Sequence, residues 1–347
     1  MSERAGDAPE QIAFLLLPEF PIYALVLARE ALRVANQNAG QRLFSTRLFS
    51  TDDAPVRAGD GTELAVDSGI AAVPFFPTVI VVAGNRPTQH ITRPLLSWLR
   101  RLARHGALLG AVDTGAFTLA AAGLLDGYRI TLHWEALALF REHHPEIAAV
   151  EQLFAVDRDR LTCAGGVATL DMMLELVRLK HGDALAEVVR TGLVHERIRH
   201  GTEPQRPAID AAAVPADQRL AGIVADMEAH LDAPLTPADL AHRAGLSLRQ
   251  LERLFHDRFG DTPRGYYLKL RLQAARNHLF YGDMPVQEIA TATGFAAPAV
   301  LSRSFKARFG LSPREFRRQF SGERLQRFRP EIRQQLGLGA PATAAGR

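Results

Sequence analysis

An aspartate and a histidine–tryptophan pair are the residues of the first half whose types and spacing could do chemistry. Asp113 ends the apolar run 107–112 and is followed closely by small residues at 116–122. A strand that turns sharply into a helix holds one side chain above the helix N-terminus, as in a nucleophile elbow. His133 and Trp134 follow after a glycine turn. The pattern therefore predicts a functional carboxylate at Asp113.

Three roles are open for Asp113. It could cap the helix that follows, as aspartates often do. It could act as a carboxylate nucleophile with His133 as its base. It could also bind the cationic group of a ligand, because Trp134 offers the kind of ring face that quaternary ammonium ions prefer. Further rings expected nearby are Phe20, Tyr23, Phe75 and Phe117. Backbone N–H groups at residues 114–116 would then hold a ligand carboxylate, which suits an amino acid or a betaine-like zwitterion.

A second set of residues recurs in the last third of the chain. Arg253 and Phe255 return 50 positions later as Arg303 and Phe305, and both copies continue into the sequence Phe-Gly-x-x-Pro. Guanidinium groups can bind guanine edges or phosphates in a bidentate manner. The polar or small residues on the same helical faces are the candidate base readers. They are Arg249, Glu252, Arg253, Ala299, Ser302 and Arg303.

Each copy predicts a short amphipathic helix (236–244 and 286–293), a glycine turn and a second helix. Ser247 is placed to cap one second helix, and Pro298 fits the first turn of the other. The expected apolar faces are Leu251, Leu254 and Phe255 in the first copy, and Val300, Leu301 and Phe305 in the second. This is the helix-turn-helix plan. A long apolar helix at 262–281 would hold the copies about one DNA turn, ~34 Å, apart.

Charge is distributed unevenly along the chain. Residues 243–333 contain 18 Lys and Arg against 8 Asp and Glu, whereas residues 1–216 carry a formal net charge of −4. A duplex with its dense phosphate charge attracts positive surface. The C-terminal third is therefore the part expected to bind DNA.

This third closely resembles the DNA-binding domain of the AraC/XylS family of bacterial transcription regulators. The matching residues are AGLSxRxLxRLF and GxTPxxY in the first copy, and GFxxxxxxSRxF and FGxSPxxFR in the second. The resemblance implies seven helices and sequence-specific promoter binding, usually as an activator with RNA polymerase as a partner. It points by motif position to the same six readers. Pro298 and Ala299 depart from the polar residues often found there, so the second unit is expected to read fewer bases.

The first half alternates strand and helix. Strands are predicted at 12–17, 43–50, 79–82 and 107–112, and helices at 24–36 and 94–105. Continuous apolar runs are typical of strands buried on both faces, so the fold class is an α/β sandwich with a mostly parallel sheet. In such sheets ligands lie beyond the carboxyl ends of the strands, which brings Gly84 into the candidate site.

This half resembles the PfpI-type, or class I glutamine amidotransferase-like, domain. The runs DTGAFTLAAAGLLDGYRITLHWEAL and TCAGGVATLDMMLELV carry the likeness. The resemblance implies a cysteine where Asp113 stands and a glutamate like Glu30 nearby, so thiolate chemistry is not expected. Some relatives fuse this domain to an AraC-type domain and respond to betaine, carnitine or amino acids. The candidate ligand residues are Asp113, Thr114, His133, Trp134, Glu30, Gly84 and Phe20.

Composition sets the remaining expectations. We expect a ligand-sensing domain at 10–200, a Pro- and Ala-rich linker at 201–217, a DNA-binding domain at 218–320 and a partly disordered tail at 321–347. One cysteine, Cys163, and a charged N-terminus indicate a cytoplasmic protein. Neither a cofactor nor a metal is predicted, and the expected assembly is a homodimer that does not interact with membranes.

The sequence therefore predicts a two-domain transcription regulator, an activator controlled by a small nitrogenous metabolite. Two other classes remain open. One is a hydrolase or amidase that uses Asp113 and His133, with an accessory basic domain. The other is an architectural DNA-binding protein that responds to no ligand.

Overall fold

The computed structural model describes residues 8–206 and 218–320. The chain divides into two compact units, Met1–Ala216 (unit 1) and Asp217–Arg347 (unit 2). The predicted tail and residues 207–217 of the predicted linker lie outside the described residues. Within the described ranges, no helix is long and apolar enough to cross a membrane.

Unit 1 is built on a seven-stranded sheet of order β10-β11-β7-β6-β1-β2-β5, with two short two-stranded sheets, β3-β4 and β8-β9, beside it. The strands are β1 (Glu10–Leu16), β2 (Phe44–Ser50), β3 (Val56–Arg57), β4 (Glu63–Leu64), β5 (Ser68–Gly69), β6 (Thr78–Ala83), β7 (Leu108–Asp113), β8 (Arg129–Ile130), β9 (Ala148–Ala149), β10 (Phe154–Asp157) and β11 (Arg160–Cys163). In the large sheet every pairing is parallel except that of β10 with β11.

Six α-helices belong to the described part of unit 1. They are α1 (Ile22–Ala39), α2 (Arg93–Arg104), α3 (Ala116–Ala121), α4 (Trp134–His143), α5 (Ala168–His181) and α6 (Asp183–Gly192). Their apolar stripes bury the sheet, and Met172 and Met173 of α5 are fully buried in its core. The predicted α/β architecture with a mostly parallel sheet is confirmed.

Unit 2 is helical throughout its described part. Its helices are α7 (Gln218–Ala229), α8 (Pro237–Arg243), α9 (Leu248–Phe259), α10 (Pro263–Tyr281), α11 (Val286–Ala292), α12 (Pro298–Phe309) and α13 (Pro313–Phe320). Pairs α8–α9 and α11–α12 are the two helix-turn-helix units. Both turns contain a glycine with positive φ, Gly245 at 66° and Gly294 at 69°. Side chains other than glycine rarely adopt that conformation, which explains the residue type at each turn.

Local capping fixes where the second helices begin and end. Ser247 accepts a hydrogen bond from the Gln250 amide in a full capping box, and Pro298 occupies the first turn of α12. Gly260 and Gly310 end α9 and α12 in the left-handed conformation. The positions of Ser247 and Pro298 at the starts of α9 and α12 are those that the sequence predicts.

Each helix-turn-helix unit has its own apolar core. Leu251 and Phe255 lie in the first, and Leu301 and Phe305 in the second. The expected place of Val300 in this face is wrong, since its side chain is 36% exposed. Because Leu301 and Phe305 turn one side of α12 toward the core, Val300 in the first turn faces solvent instead.

Candidate functional site

Asp113 lies at the carboxyl end of β7 in a strained conformation. Its φ is +60°, which is uncommon for any residue with a side chain, although aspartate tolerates it better than most. Its side chain abuts the glycine turn after β11, where a Cβ at Gly165 would lie 2.9 Å from the Asp113 Cβ. The strand-to-helix elbow predicted from the sequence is thus present. Because Gly165 leaves space there, the half-buried carboxylate fits beneath the turn.

Burial raises the pKa of the Asp113 carboxyl to about 6. The nearby His133 opposes this shift in the pKa, whereas the carboxylate of Glu135 reinforces it. Removing a carboxylate from water disfavours its charged form. Asp113 is therefore mostly ionised at neutral pH and becomes neutral in mildly acidic solution.

His133 and Trp134 stand beside this elbow. The His133 amide donates to the Asp113 carbonyl oxygen at 3.4 Å, and its imidazole Nδ1 accepts from the Glu135 amide at 3.3 Å. His133 therefore caps α4, and Trp134 is the first residue of that helix. The two rings are 5.9 Å apart. The structure thus brings Asp113 and His133 together through the backbone, with Trp134 as the next residue.

Three other predicted ligand residues are structural supports. Thr114 is fully buried and donates its hydroxyl to the Gly84 carbonyl oxygen at 2.6 Å. Gly84 is needed because a Cβ there would lie 2.4 Å from the Glu19 carbonyl oxygen. Phe20 is completely buried in the core of unit 1, so its ring contacts protein on all sides. None of these three presents a side chain to a ligand.

Two of the three backbone amides expected to hold a carboxylate, those of residues 114 and 115, are already bonded. The Thr114 amide donates to the Ala83 carbonyl oxygen at 3.4 Å, and the Gly115 amide to that of Val112 at 3.1 Å. These two amides donate to carbonyl oxygens at the ends of β6 and β7, and these hydrogen bonds hold the elbow that leads into α3. That expectation was therefore wrong for both amides.

Glu30, which the sequence prediction placed near Asp113, lies in a different part of unit 1. It lies in the middle of α1 and pairs with Arg33 at 2.8 Å, which lowers the pKa of its carboxyl. It lines a surface cleft of about 500 Å³ between α1 and β2, and Asp113 is not among the lining residues of that cleft. Because an α-helix rises 1.5 Å per residue, Glu30 lies about 12 Å along the axis of α1 from Ile22, the first residue of that helix.

The aromatic rings expected around Asp113 are mostly elsewhere. Phe117 is buried against Phe140, with ring centroids 5.0 Å apart. Phe75 packs near His105, which follows α2. Tyr23 is 53% exposed and lies next to the Gly165–Gly166 turn, where a Cβ at Gly166 would be 3.9 Å from its ring. Of these rings, Tyr23 therefore lies exposed at the glycine turn beside Asp113, whereas Trp134 is half-buried next to His133.

An ion pair that the sequence did not reveal lies at the same edge of the sheet. Glu19 follows β1, Arg86 follows β6, and their side chains form a salt bridge of low solvent exposure. Both residues have positive φ, 63° and 49°. Strained backbone of this kind is concentrated at functional sites, but it cannot be read from the spacing of residues. Arg86 lies three residues past the end of β6, the strand that pairs with β7.

The candidate base readers in unit 2 are accessible. Arg249, Glu252 and Arg253 are exposed on α9. On α12, Ala299 and Arg303 are exposed and Ser302 is half-buried. Leu248 and Val300 are exposed in the first turns of α9 and α12, where an apolar side chain could contact a thymine methyl group. Residue type alone had suggested an inward position for Val300.

Comparison with known proteins gives the family. The profile of the DJ-1/PfpI family matches residues 10–179, and that of a helix-turn-helix domain matches residues 240–319. The HTH-type transcriptional regulator CdhR of Pseudomonas aeruginosa is 41% identical over 304 residues, which cover 88% of this chain and 90% of that protein. This chain belongs to the AraC-type transcriptional regulators that carry a DJ-1/PfpI domain.

Other members share the same order of domains. The HTH-type transcriptional regulator GbdR of Pseudomonas aeruginosa is 40% identical over 89% of this chain and 84% of its own length. A crystal structure of an AraC family transcriptional regulator from Pseudomonas putida is 33% identical, covers 53% of this chain and all of that one, and has a TM-score of 0.49. This AraC-type regulator is a DNA-binding transcription regulator.

In this regulator the elbow residue is a carboxylate and the cysteine lies elsewhere. Cys163 is buried at the end of β11, and burial raises the pKa of its thiol to about 12. A thiol with that pKa is not a nucleophile at neutral pH. In the part of the chain that the structure describes, no three His, Cys, Asp or Glu side chains gather as they would around a metal ion.

Proposed function

We propose that this regulator is a transcription activator controlled by a small zwitterionic nitrogen metabolite, a betaine-like quaternary amine or an amino acid. The effector binds at the Asp113, His133 and Trp134 cluster. The observation that carries the proposal is the position of the Asp113 carboxylate, held by a strained backbone at the carboxyl end of β7, with the His133 amide hydrogen-bonded to that backbone and Trp134 as the next residue. A carboxylate and an indole face together favour an organic cation.

The opposite end of such an effector would be a carboxylate. Since the Thr114 and Gly115 amides are already bonded, the Arg86 guanidinium at the end of β6 is the better anion receptor. It pairs with Glu19, so an incoming carboxylate would exchange one anionic partner for another. Cation and anion receptors therefore lie on two neighbouring strands, since β6 pairs with β7.

The output is promoter binding through unit 2. We propose that the regulator acts as a homodimer and recruits RNA polymerase, with α9 and α12 reading two successive major-groove segments. The exposed arginines of these helices and the positive balance of unit 2 support this part of the proposal.

Replacing Asp113 with asparagine is expected to weaken the binding of a cationic effector about tenfold, because the carboxylate charge is lost. Asparagine tolerates positive φ as aspartate does, so the elbow should keep its shape. Calorimetric titration with glycine betaine, carnitine, choline and basic amino acids measures this affinity.

For wild type, affinity for the quaternary amines should fall roughly tenfold from pH 7.5 to pH 5, because the Asp113 pKa of about 6 lies between these values.

The matched control is Glu30→Gln, which removes an accessible carboxylate of unit 1 away from the site. It should bind the effector as wild type does. Equal affinity of wild type and Asp113→Asn for every compound that binds would contradict the role of Asp113. Chemical turnover of a bound compound by wild type but not by Asp113→Asn would instead favour a hydrolase.

A further inference from the structure

Residues 195–206 return across unit 1 after α6. Asp171 of α5 is fully buried and accepts hydrogen bonds from the His195 imidazole at 2.9 Å and from the Arg199 amide at 2.8 Å. The Arg199 guanidinium also pairs with it at 2.6 Å. The chain then runs beside β10, where the Phe154 amide donates to the Gly201 carbonyl oxygen. This path carries residues that composition had assigned to a linker into contact with unit 1.

The end of this segment reaches the candidate effector site. The Trp134 amide donates to Gln205 Oε1 at 2.8 Å, and Gln205 Nε2 donates to the Leu132 and Gln152 carbonyl oxygens at 2.8 and 2.9 Å. Gln205 is therefore bonded to the backbone on both sides of His133. A displacement of the backbone at His133–Trp134 would therefore disturb the hydrogen bonds of Gln205.

Arg206 is held in the way that an organic cation would be. Its guanidinium lies over the Trp134 ring, 4.8 Å from the ring centroid. Two parallel hydrogen bonds of 2.9 Å join it to the carboxylate of Glu151. An aromatic face with a carboxylate opposite is the arrangement by which proteins bind guanidinium and quaternary ammonium groups.

We propose that Trp134 and Glu151 form a subsite for organic cations, which Arg206 of this chain fills, and that a cationic effector competes with Arg206 for it. Displacement frees Gln205 and Arg206, the last described residues before the stretch 207–217 that leads to α7. Effector binding thereby releases the residues at the start of the segment that connects unit 1 to unit 2. This inference rests on the proposed function and identifies the effector group as a guanidinium or alkylammonium cation.

Energetics favour such an exchange. The Arg206–Glu151 pair is partly exposed, at 41% and 31% of the two side chains, and pairs of this kind are weak. The Asp171 anchor is buried, so residues 195–199 stay in place when Arg206 leaves. An internal competitor that fills the subsite most of the time lowers the apparent affinity for an added cation in proportion to its occupancy.

The test compares the full chain with Arg206→Ala by calorimetric titration. The probes are L-arginine, glycine betaine and 3,3-dimethylbutanoate, which has the shape of glycine betaine without its positive charge. Arg206→Ala is expected to bind the two probes that carry a cationic group on the order of tenfold more tightly and 3,3-dimethylbutanoate no better. In the Arg206→Ala background, adding Glu151→Gln should reverse most of the gain.

Arg158→Ala is the matched control, because Arg158 also stacks on a ring, that of Tyr128 at 3.8 Å, and pairs with a neighbouring aspartate, Asp157. It should leave probe affinity unchanged. Hydrogen exchange of the amides bonded to the returning segment, those of Trp134, Leu153 and Phe154, provides the second readout. Glycine betaine should speed the exchange of these amides in wild type. In Arg206→Ala, the Trp134 amide should exchange fast even in the absence of glycine betaine.

Unchanged cation affinity in Arg206→Ala, with Asp113→Asn still weakening binding, would overturn the competition and leave the proposed function intact. Failure of both wild type and Arg206→Ala to bind either cationic probe would overturn both. Tighter binding of 3,3-dimethylbutanoate by Arg206→Ala, equal to the gain for glycine betaine, would overturn the cation subsite, because the variant would then have gained only space.

Discussion

Replacing Phe305 with alanine should lower the free energy of unfolding of unit 2 by about 3–5 kcal/mol. Phe305 has no solvent exposure, and its ring packs 4.5 Å from that of Phe309 and 5.5 Å from that of Phe316. It therefore joins α12 to α13 in the small core of the second helix-turn-helix unit. A cavity of this size in so small a core is expected to abolish DNA binding as well.

The two units can be followed separately in one urea titration. Both tryptophans of the chain, Trp98 and Trp134, belong to unit 1, whereas roughly half of the α-helical residues of the described chain belong to unit 2. Phe305→Ala should move the part of the dichroism change that comes from unit 2 to lower urea and leave the tryptophan fluorescence transition in place. The control is Val300→Ala on the same helix, whose exposed side chain should contribute less than about 0.5 kcal/mol. Equal losses in the two variants would refute the assigned core.

Arg253→Ala and Arg303→Ala should each weaken binding to the specific operator by about 1–3 kcal/mol and relax base preference at one position. Both arginines are exposed at equivalent positions of α9 and α12, so each would face a major groove. Gel-shift titrations against the operator and random duplex, at two salt concentrations, separate base contacts from phosphate contacts. A loss of equal size on both duplexes would mean that these arginines touch only phosphate.

Arg104→Ala is the matched control for charge, because Arg104 is an exposed arginine of unit 1. It should leave the preference for the operator unchanged. If it reduced that preference as much as Arg303→Ala, the loss would reflect net charge and not recognition.

The helix-turn-helix units could be predicted closely because their signals are local. Ser247, Pro298 and the terminal glycines each fix one helix end through backbone chemistry of a few adjacent residues. The parallel sheet was equally readable, since strands buried on both faces carry continuous apolar runs. The family resemblance drawn from the same residues is confirmed by full-length relatives.

The rest of the candidate site depended on contacts between residues far apart in sequence. Nothing in the spacing of Glu19 and Arg86 shows that β1 and β6 are neighbours. The Asp171–Arg199 pair and the Arg206–Trp134 stack likewise follow from the return of the chain after α6, which has no periodicity. Glu30 was placed by resemblance, and the course of α1 carries it away. Phe20 is aromatic, but its ring fills the core.

Selection of duplexes from a randomised pool by the full-length protein tests the central claim most directly. Two reading helices on one chain predict an enriched motif with two conserved segments about 10 base pairs apart, bound roughly 10³-fold more tightly than scrambled DNA. Ala299 in the second helix predicts weaker conservation in one of the two segments. A pool that remains random after repeated selection, with equal affinity for selected and scrambled duplexes, would contradict the account.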